Sequence, residues 1–173
     1  MRNVTALEAA VGVALFGSVL AVAGPAFVRN LSASRLTEAT HGLTRIGESA
    51  IAGATGKPCA AAFPESAPLT PAVVPRGNPS VDPEPDPWQH PTWIALGFRP
   101  STPGVAHSFA FAFDRESRSE AERFEAKPRT AFVASAHGDL NGNGTTSTFE
   151  VRGQCDDGTA MLVAGMYVQA ELE

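Results

Sequence analysis

The sequence does not have the excess of basic residues that a nucleic-acid-binding protein needs. It contains 13 Lys and Arg against 18 Asp and Glu, which gives a formal net charge of −5. Binding to a phosphate backbone depends on basic side chains, so we predict no nucleic-acid partner. Charged residues make up only 18% of the chain, below the usual quarter. The apolar content of 43% nevertheless excludes a wholly disordered chain.

Catalytic and cofactor motifs are also lacking. The sequence has no G-x-S-x-G nucleophile elbow, no P-loop and no dinucleotide-binding fingerprint. Its four histidines show no metal-ligand spacing. We therefore predict that the protein is not an enzyme and needs no cofactor, apart from one calcium candidate considered below.

A long apolar run near the N-terminus is the strongest feature that the sequence does have. Residues 9–28 carry no charge, and a helix of that length rises about 30 Å, enough to cross a bilayer. A secretory signal has a shorter apolar core. Here the helical pattern continues, because apolar residues recur at three- and four-residue steps. These residues are Leu36, Ala39, Leu43, Ile46 and Ala50.

We therefore predict one long helix over residues 1–53, continuous from about Val4 to Ala52. Its first half is apolar on all sides and includes a membrane or filament-core segment at about residues 4–28. Its second half is amphipathic, so one face is expected to pack on a globular head.

The remaining chain predicts a loop followed by a sheet. Residues 57–91 hold ten of the fourteen prolines, which predicts an extended loop at residues 54–92, with a disordered linker as the alternative. From residue 93 the apolar period becomes two. Phe109, Phe111 and Phe113 alternate with alanines, which predicts a strand, and residues 130–137, 146–152 and 161–171 are predicted as further strands. Short strands joined by turns predict a small antiparallel sheet over residues 93–173. With the helix packed across this sheet, the predicted fold class is α+β.

The N-terminus resembles that of type IV pilins. Mature pilins begin with an apolar residue, Thr or Ser, two apolar residues and Glu, and a glycine and a proline follow at set offsets on an apolar helix. The matching residues here are Val4-Thr5-Ala6-Leu7-Glu8, Gly17 and Pro25. A weaker likeness to myxobacterial pilin heads lies in residues 93–98, 109–113 and 137–144.

The resemblance implies a pilin-like fold and a structural role, as a major or minor pilin of a type IV pilus or a related pseudopilus. The implied partners are other copies or other pilins, the inner-membrane assembly machinery, and membrane lipid before assembly. The implied location is the inner membrane, with the head outside the cytoplasm, and then a cell-surface filament. Subunit assembly would involve Val4, Thr5, Glu8, Gly17 and Pro25. The alternative is a single-pass, membrane-anchored extracytoplasmic binding module that does not polymerise.

Glu8 is the assembly residue with the most specific implied role. In the family, this glutamate pairs with the N-terminal amine of an adjacent subunit, which prepilin peptidase frees by removing a basic leader that ends in glycine. Here Asn3 stands in the place of that glycine, so processing would need an in-frame leader upstream, and Arg2 is the fallback cation. A carboxylate that stays hydrated at the membrane interface is the other interpretation of Glu8.

Residues 139–150 fit the calcium-loop pattern D-x-[DN]-x-[DN]-G-x5-E. The candidate ligands are Asp139, Asn141, Asn143, Thr145 and Glu150. Oxygen ligands at alternate positions suit a hard cation, but only Asp139 and Glu150 would contribute charge. The alternative is a hairpin turn, because Asn and Gly tolerate positive φ.

Cysteine is nearly absent, since Cys59 and Cys155 are the only two. Both follow the apolar run, in the part of the chain that we expect in an oxidising compartment. That location favours a disulfide between the proline-rich loop and the last hairpin. Two buried free thiols are the alternative.

Overall fold

The computed structural model describes residues 6–117 and 130–170. In the first part of the N-terminal helix, it describes the side chains of residues 7, 10–19, 21 and 23. The chain divides into two compact units, of which the first ends at Ser34 and the second begins at Arg35. We describe each unit by itself.

Helix α1, Ala6–Ala54, supplies all the structure that is described in the first unit and the opening segment of the second. Its backbone stays helical through Gly17 and Pro25. Ser18, a polar residue in the apolar stretch, donates its hydroxyl hydrogen to the carbonyl of Ala14 at 2.8 Å, so this group is satisfied within the helix. Counting only the residues that the structure describes, no helix is long and apolar enough to cross a membrane.

The second unit is built on a six-stranded antiparallel sheet. Its strands are β1 (Ala67–Thr70), β2 (Ala110–Ser117), β3 (Thr130–Gly138), β4 (Ser147–Asp156), β5 (Thr159–Leu162) and β6 (Tyr167–Gln169). The order across the sheet is β1-β2-β3-β4-β5, and β6 pairs with β4 beyond the end of β5. Strands β3 and β4 pair from Thr130 opposite Cys155 to Gly138 opposite Ser147.

The core of the second unit lies between the helix and one face of this sheet. The period of two in β2 places Phe111 and Phe113 on the same face, and both are fully buried. Leu43 and Ile46 of α1 are fully buried in the same cluster. Gly42 allows the close approach of helix and strand, because a Cβ there would lie 2.7 Å from ring atoms of Phe111.

The predicted fold class, α+β with a long helix packed across a small antiparallel sheet, is wrong for the molecule as a whole. The structure does not have a pilin-like α+β layout. Helix α1 is not one packing layer, because it is shared between two units. Only its segment from residue 35 to 54 belongs to the unit that holds the six-stranded sheet. The helical period predicted the helical backbone and the packed face of its second half, but not the division of the helix between two units.

The proline-rich region contains more regular structure than an extended loop. It holds strand β1, two 3-10 turns at Cys59–Ala61 and Pro87–Gln89, and the start of a short helix α2, Pro91–Ala95. Pro68 is tolerated in β1 because this strand lies at the sheet edge and has one unpaired side. Pro91 occupies the first turn of α2, where its missing N–H costs nothing.

Two tryptophans anchor this region in the core. Trp88 and Trp93 are 3% and 1% exposed, and their ring centroids lie 5.5 Å apart. The indole N–H of Trp93 donates to Thr70 Oγ1 at 2.9 Å, so the one polar atom of this buried ring is satisfied. The disordered-linker alternative therefore does not describe this segment.

Candidate functional site

The apolar part of the first unit is the most unusual surface of the chain. Six large apolar side chains there are between 52% and 75% exposed: Leu7, Val11, Val13, Leu15, Phe16 and Val19. We call residues 7–19 the apolar helix surface. At about 100° per residue, the six positions spread over more than half of the helix circumference. An ordinary amphipathic stripe, with one side in the core and one in water, does not produce this distribution.

A surface of this kind favours apolar surroundings. Large contiguous apolar patches on proteins mark sites that contact other proteins or lipid. The apolar helix surface has no charged residue after Glu8, and its described polar side chain, Ser18, is bonded within the helix. Its chemistry therefore fits either neighbouring helices or the interior of a bilayer.

The predicted assembly residues are described to different extents. Val4 and Thr5 lie outside the described residues. Glu8 and Pro25 lie in α1, but their side chains are outside the description. Gly17 is described, and a Cβ added to it would meet nothing within 4 Å. No contact among the described residues therefore requires a glycine at this position.

In the loop with the calcium pattern, side-chain oxygens accept hydrogen bonds from backbone N–H groups of the same loop. Asp139 is 1% exposed, and its two carboxylate oxygens accept the backbone N–H groups of Gly142 and Gly144 at 2.7 and 2.9 Å. Asn141 Oδ1 accepts the N–H of Asn143, and Asn143 Oδ1 accepts the N–H of Thr145. These contacts are those of successive turns between β3 and β4.

Glu150 is not brought to this loop. Ser147 pairs with Gly138, the last residue of β3, and Glu150 lies three residues further along β4. Three residues of strand span about 10 Å, and Glu150 Oε2 instead accepts from Arg152 at 3.2 Å. Among the described residues, no three His, Cys, Asp or Glu side chains are grouped as metal ligands. The geometry thus favours the hairpin-turn interpretation of residues 139–145.

Cys59 and Cys155 form a disulfide, with their Cα atoms 5.3 Å apart. The bond joins the first 3-10 turn to the end of β4. It therefore ties the start of the proline-rich region to the far end of the sheet. Cys155 is 1% exposed, and Cys59 Sγ accepts the N–H of Gly158 at 3.3 Å.

A partly buried polar cluster centred on the proline-rich region was not predicted. Asp82 Oδ1 accepts from the indole N–H of Trp88 at 2.8 Å and lies 2.9 Å from Nε2 of His107. Arg99 donates to Asp82 at 3.2 Å and to both oxygens of Asp86 at 2.8 and 3.0 Å. The sequence shows one signal for this cluster, acidic residues alternating with prolines from Asp82 to Asp86. It gives no indication that Arg99 and His107, 13 to 25 residues further on, contact these carboxylates.

The charges in this cluster stabilise one another. Burial opposes ionisation of Asp82, but hydrogen bonds from His107, Trp88 and Arg99 outweigh it and lower the pKa of this carboxyl. A hydrogen bond from Gln89, with further ones from Arg99 and the Trp88 N–H, lowers the pKa of Asp86. Burial opposes the charge on Arg99, but the two carboxylates raise its pKa. All three groups are therefore charged at neutral pH.

Among the described side chains of α1, three polar ones form hydrogen bonds with loops of the second unit. Arg35 donates to the carbonyl of Gly77 at 2.8 Å. Arg45 donates to the carbonyl of Arg99 at 3.3 Å, and its guanidinium lies 5.5 Å from the ring centre of Phe98. Glu38 accepts the backbone N–H groups of residues 108 and 109 at 2.9 to 3.1 Å. Burial raises the pKa of Glu38 in spite of these bonds.

A histidine on the outer face of the sheet contacts two hydroxyl groups. His137 Nε2 lies 3.2 Å from Ser135 Oγ, and Nδ1 lies 3.1 Å from Thr148 Oγ1. Burial lowers the pKa of His137. A threonine rather than a carboxylate contacts Nδ1, so the arrangement differs from a Ser-His-Asp triad.

Comparison of the chain with protein-family models, curated proteins and solved structures gives no match. The functional argument therefore depends on the residues of this chain.

Proposed function

We propose that the chain is a structural subunit, a major or minor pilin, of a type IV pilus or a related pseudopilus, and that it polymerises through its N-terminal helix. The observation that supports this proposal is the apolar helix surface, on which six large side chains have no partner within the described part of the chain. The order of Glu8, Gly17 and Pro25 along that helix supports the pilin assignment.

The energetics of such a helix exclude it from water. Burying one Val, Leu or Phe side chain stabilises by roughly 1.5–3 kcal/mol relative to exposure in water, so six exposed ones favour a place in lipid or among neighbouring helices. The uncharged run at residues 9–28 would lie in the inner membrane before assembly. In the filament, the corresponding helices of neighbouring subunits would take the place of lipid. The second unit would then be presented on the cell-surface filament.

Glu8 would select the position of the next subunit. A carboxylate surrounded by apolar helices is costly unless it is neutralised. A cation of the neighbouring subunit, its N-terminal amine or Arg2, would supply that neutralisation. Pairing of this kind fixes the axial offset between subunits, because only one offset brings the two charges together.

A second candidate is a membrane-anchored binding module that does not polymerise. A groove of about 460 Å³ on the second unit favours it, lined by Pro71, Val73, Val74, Pro83 and their neighbours. The apolar helix surface would then serve only as a lipid anchor. No enzymatic activity is proposed for either candidate.

Shearing of surface filaments from cells, followed by identification of their subunits, tests the proposal. We expect the wild-type chain in the sheared fraction and a loss of at least tenfold for Glu8→Ala. Glu48→Ala is the matched control, because Glu48 lies on the same helix and is exposed in the second unit. Equal amounts of all three chains in filaments would show that Glu8 has no assembly role. Their absence from filaments, with normal amounts in the membrane, would favour the anchored module.

A further inference from the structure

Three neighbouring strands place side chains that form hydrogen bonds in one row across the outer face of the sheet. Ser135 of β3 pairs with Glu150 of β4, and Glu150 pairs with Tyr167 of β6. Directly paired residues point their side chains to the same face. Arg152, two residues further along β4, shares that face because side chains alternate along a strand. Tyr167, Glu150 and Arg152 therefore lie together on the face opposite the core.

A groove of about 420 Å³ lies beside these three side chains. Its other wall is the turn at residues 163–166, between β5 and β6. The N–H of Val163 donates to the carbonyl of Arg152 at 2.8 Å, which ties this wall to β4. Small-molecule sites have volumes of roughly 300–1,000 Å³, so the groove is large enough for one small ligand.

Tyr167 presents an aromatic ring at this groove. It is the only tyrosine of the chain, and it is 53% exposed. Its hydroxyl donates to Gln169 Oε1 at 3.2 Å. Gln169 lies on the same face, because it pairs with Thr148 of β4. The polar end of the ring is therefore held within its own strand, while much of the residue stays open to a ligand.

The charges that line the groove cancel. Arg152 donates to Glu150 Oε2 at 3.2 Å, and these two side chains are 60% and 23% exposed. The other lining residues, 163–167, carry no charge. His137, on the same face of β3, is neutral at neutral pH because burial lowers its pKa. The groove therefore offers a hydrogen-bond acceptor and a donor without an excess of either charge.

We propose that this groove binds an uncharged sugar, with one face of a pyranose ring on Tyr167 and its hydroxyl groups on Glu150 and Arg152. A pyranose ring has an apolar face of C–H groups and an edge of hydroxyl groups, each of which both donates and accepts. The carboxylate of Glu150 accepts from such hydroxyls, and the guanidinium of Arg152 donates to their oxygens. An uncharged sugar can therefore use the aromatic ring, the acceptor and the donor together.

Other classes of ligand match this groove less completely. An anion would be attracted to Arg152 but would also meet the carboxylate of Glu150. An organic cation would be attracted to Glu150 and to the ring of Tyr167, but Arg152 would repel it. An uncharged peptide backbone supplies donors and acceptors without an apolar face for the aromatic ring.

Saturation-transfer-difference NMR of the full-length chain at neutral pH tests the proposal, in micelles of a detergent that has no sugar head group. The probes are the uncharged methyl glycosides of glucose, galactose, mannose and N-acetylglucosamine. Methyl glucuronide, methyl glucosaminide and a blocked tetrapeptide of glycine and serine represent the anion, the cation and the peptide. We expect at least one uncharged glycoside to receive saturation, most strongly at the C–H protons of one ring face. No transfer to any uncharged glycoside, or stronger transfer to a charged sugar or to the peptide, would overturn the proposal.

Substitutions in β6 show whether the sugar binds at this groove. Tyr167→Ala should weaken binding about tenfold, because it removes the aromatic surface, and Tyr167→Phe should retain most of the affinity. The matched control is Val168→Ala. Val168 is the next residue of the same strand and is 42% exposed, but it pairs with the core residue Phe149 and so lies on the opposite face.

Val168→Ala should bind as the wild type does. If Tyr167→Ala bound as tightly as the wild type, or if Val168→Ala lost as much affinity as Tyr167→Ala, the assignment of the sugar to this groove would be wrong. The titration measures binding by single chains in micelles, so its outcome does not depend on whether the chain forms filaments.

Discussion

Two stretches of the same helix contain similar apolar residues in opposite surroundings. Leu15, in the first unit, is 64% exposed, whereas Leu43, in the second, is 0% exposed. Both belong to the helix Ala6–Ala54, so backbone conformation does not distinguish them. What differs is the pattern of polar residues around them.

The polar residues show which stretch packs within its own chain. Between residues 35 and 54, charged side chains alternate with the apolar stripe, and Arg35, Glu38 and Arg45 reach backbone groups of the second unit. Residues 9–28 have no such groups. The second stretch therefore has specified contacts within the chain. In the first, the described side chains expose apolar surface, and the one polar side chain among them, Ser18, is bonded within the helix. Such a surface is suited to apolar partners.

Removal of the disulfide should cause the largest loss of unfolding free energy in the second unit. The double variant Cys59→Ser/Cys155→Ser opens a loop with a sequence separation of 96 residues. In the chain-entropy model, such a loop is worth about 4–5 kcal/mol of unfolding free energy. Urea unfolding of the full chain, followed by tryptophan emission, measures this loss. An unchanged midpoint would mean that the disulfide does not restrain the unfolded second unit.

A Leu→Ala substitution in each stretch should then show that the two stretches have different roles. Leu43→Ala should cost about 2–5 kcal/mol of unfolding free energy in the second unit, because it leaves a cavity among Ile46, Phe111 and their neighbours. Leu15→Ala should leave that free energy unchanged and reduce incorporation into filaments. Urea unfolding and filament recovery for both variants check this. If Leu15→Ala destabilised the second unit as Leu43→Ala does, the division of the helix would be wrong.

A smaller effect should come from the pH dependence of Glu38. Burial raises its pKa above the ordinary value of 4.5, so the folded chain holds this proton more tightly than the unfolded chain. The resulting stabilisation is present below 4.5 and is lost as pH rises through the raised value. Glu38→Gln retains an oxygen for the N–H groups of Ser108 and Phe109 but does not titrate.

Unfolding free energies of the wild type and of Glu38→Gln, measured from pH 4 to 7, test this direction of the pH dependence. The wild type should lose stability relative to the variant as pH rises. A difference that stays constant, or that changes in favour of the wild type, would contradict the account of Glu38.

Local patterns in the sequence predicted much of the second unit. The alternation of Phe109, Phe111 and Phe113 with alanines predicted the strand that became β2, and the apolar stripe around Leu43 predicted the packed face of α1. The single strand predicted over residues 161–171 is instead two, β5 and β6, because the intervening turn has no proline and only one glycine, Gly165, to mark it. Strand β1 was missed because its prolines favoured a loop.

Contacts between distant residues could not be predicted in the same way. Nothing near Asp82 indicates that His107 and Arg99 will converge on it, because that meeting depends on how the sheet folds. The calcium pattern shows the converse limit of sequence spacing. Asp139 and Glu150 have the right sequence spacing, but the β3–β4 hairpin places their chain positions about 10 Å apart or more. A helical period likewise gives the conformation of residues 7–19 without identifying their partner.

Cross-linking between copies at Val13 tests the central claim most directly. Val13 is 75% exposed on the apolar helix surface, and Val13→Cys introduces a single additional thiol because both native cysteines are bonded. The control is Thr44→Cys, at an exposed position of α1 in the second unit. If the helix mediates assembly, oxidation of intact cells should cross-link Val13→Cys chains to one another and leave Thr44→Cys largely uncross-linked. Val13→Cys chains that remain single, or cross-link no more than the control, would contradict the account.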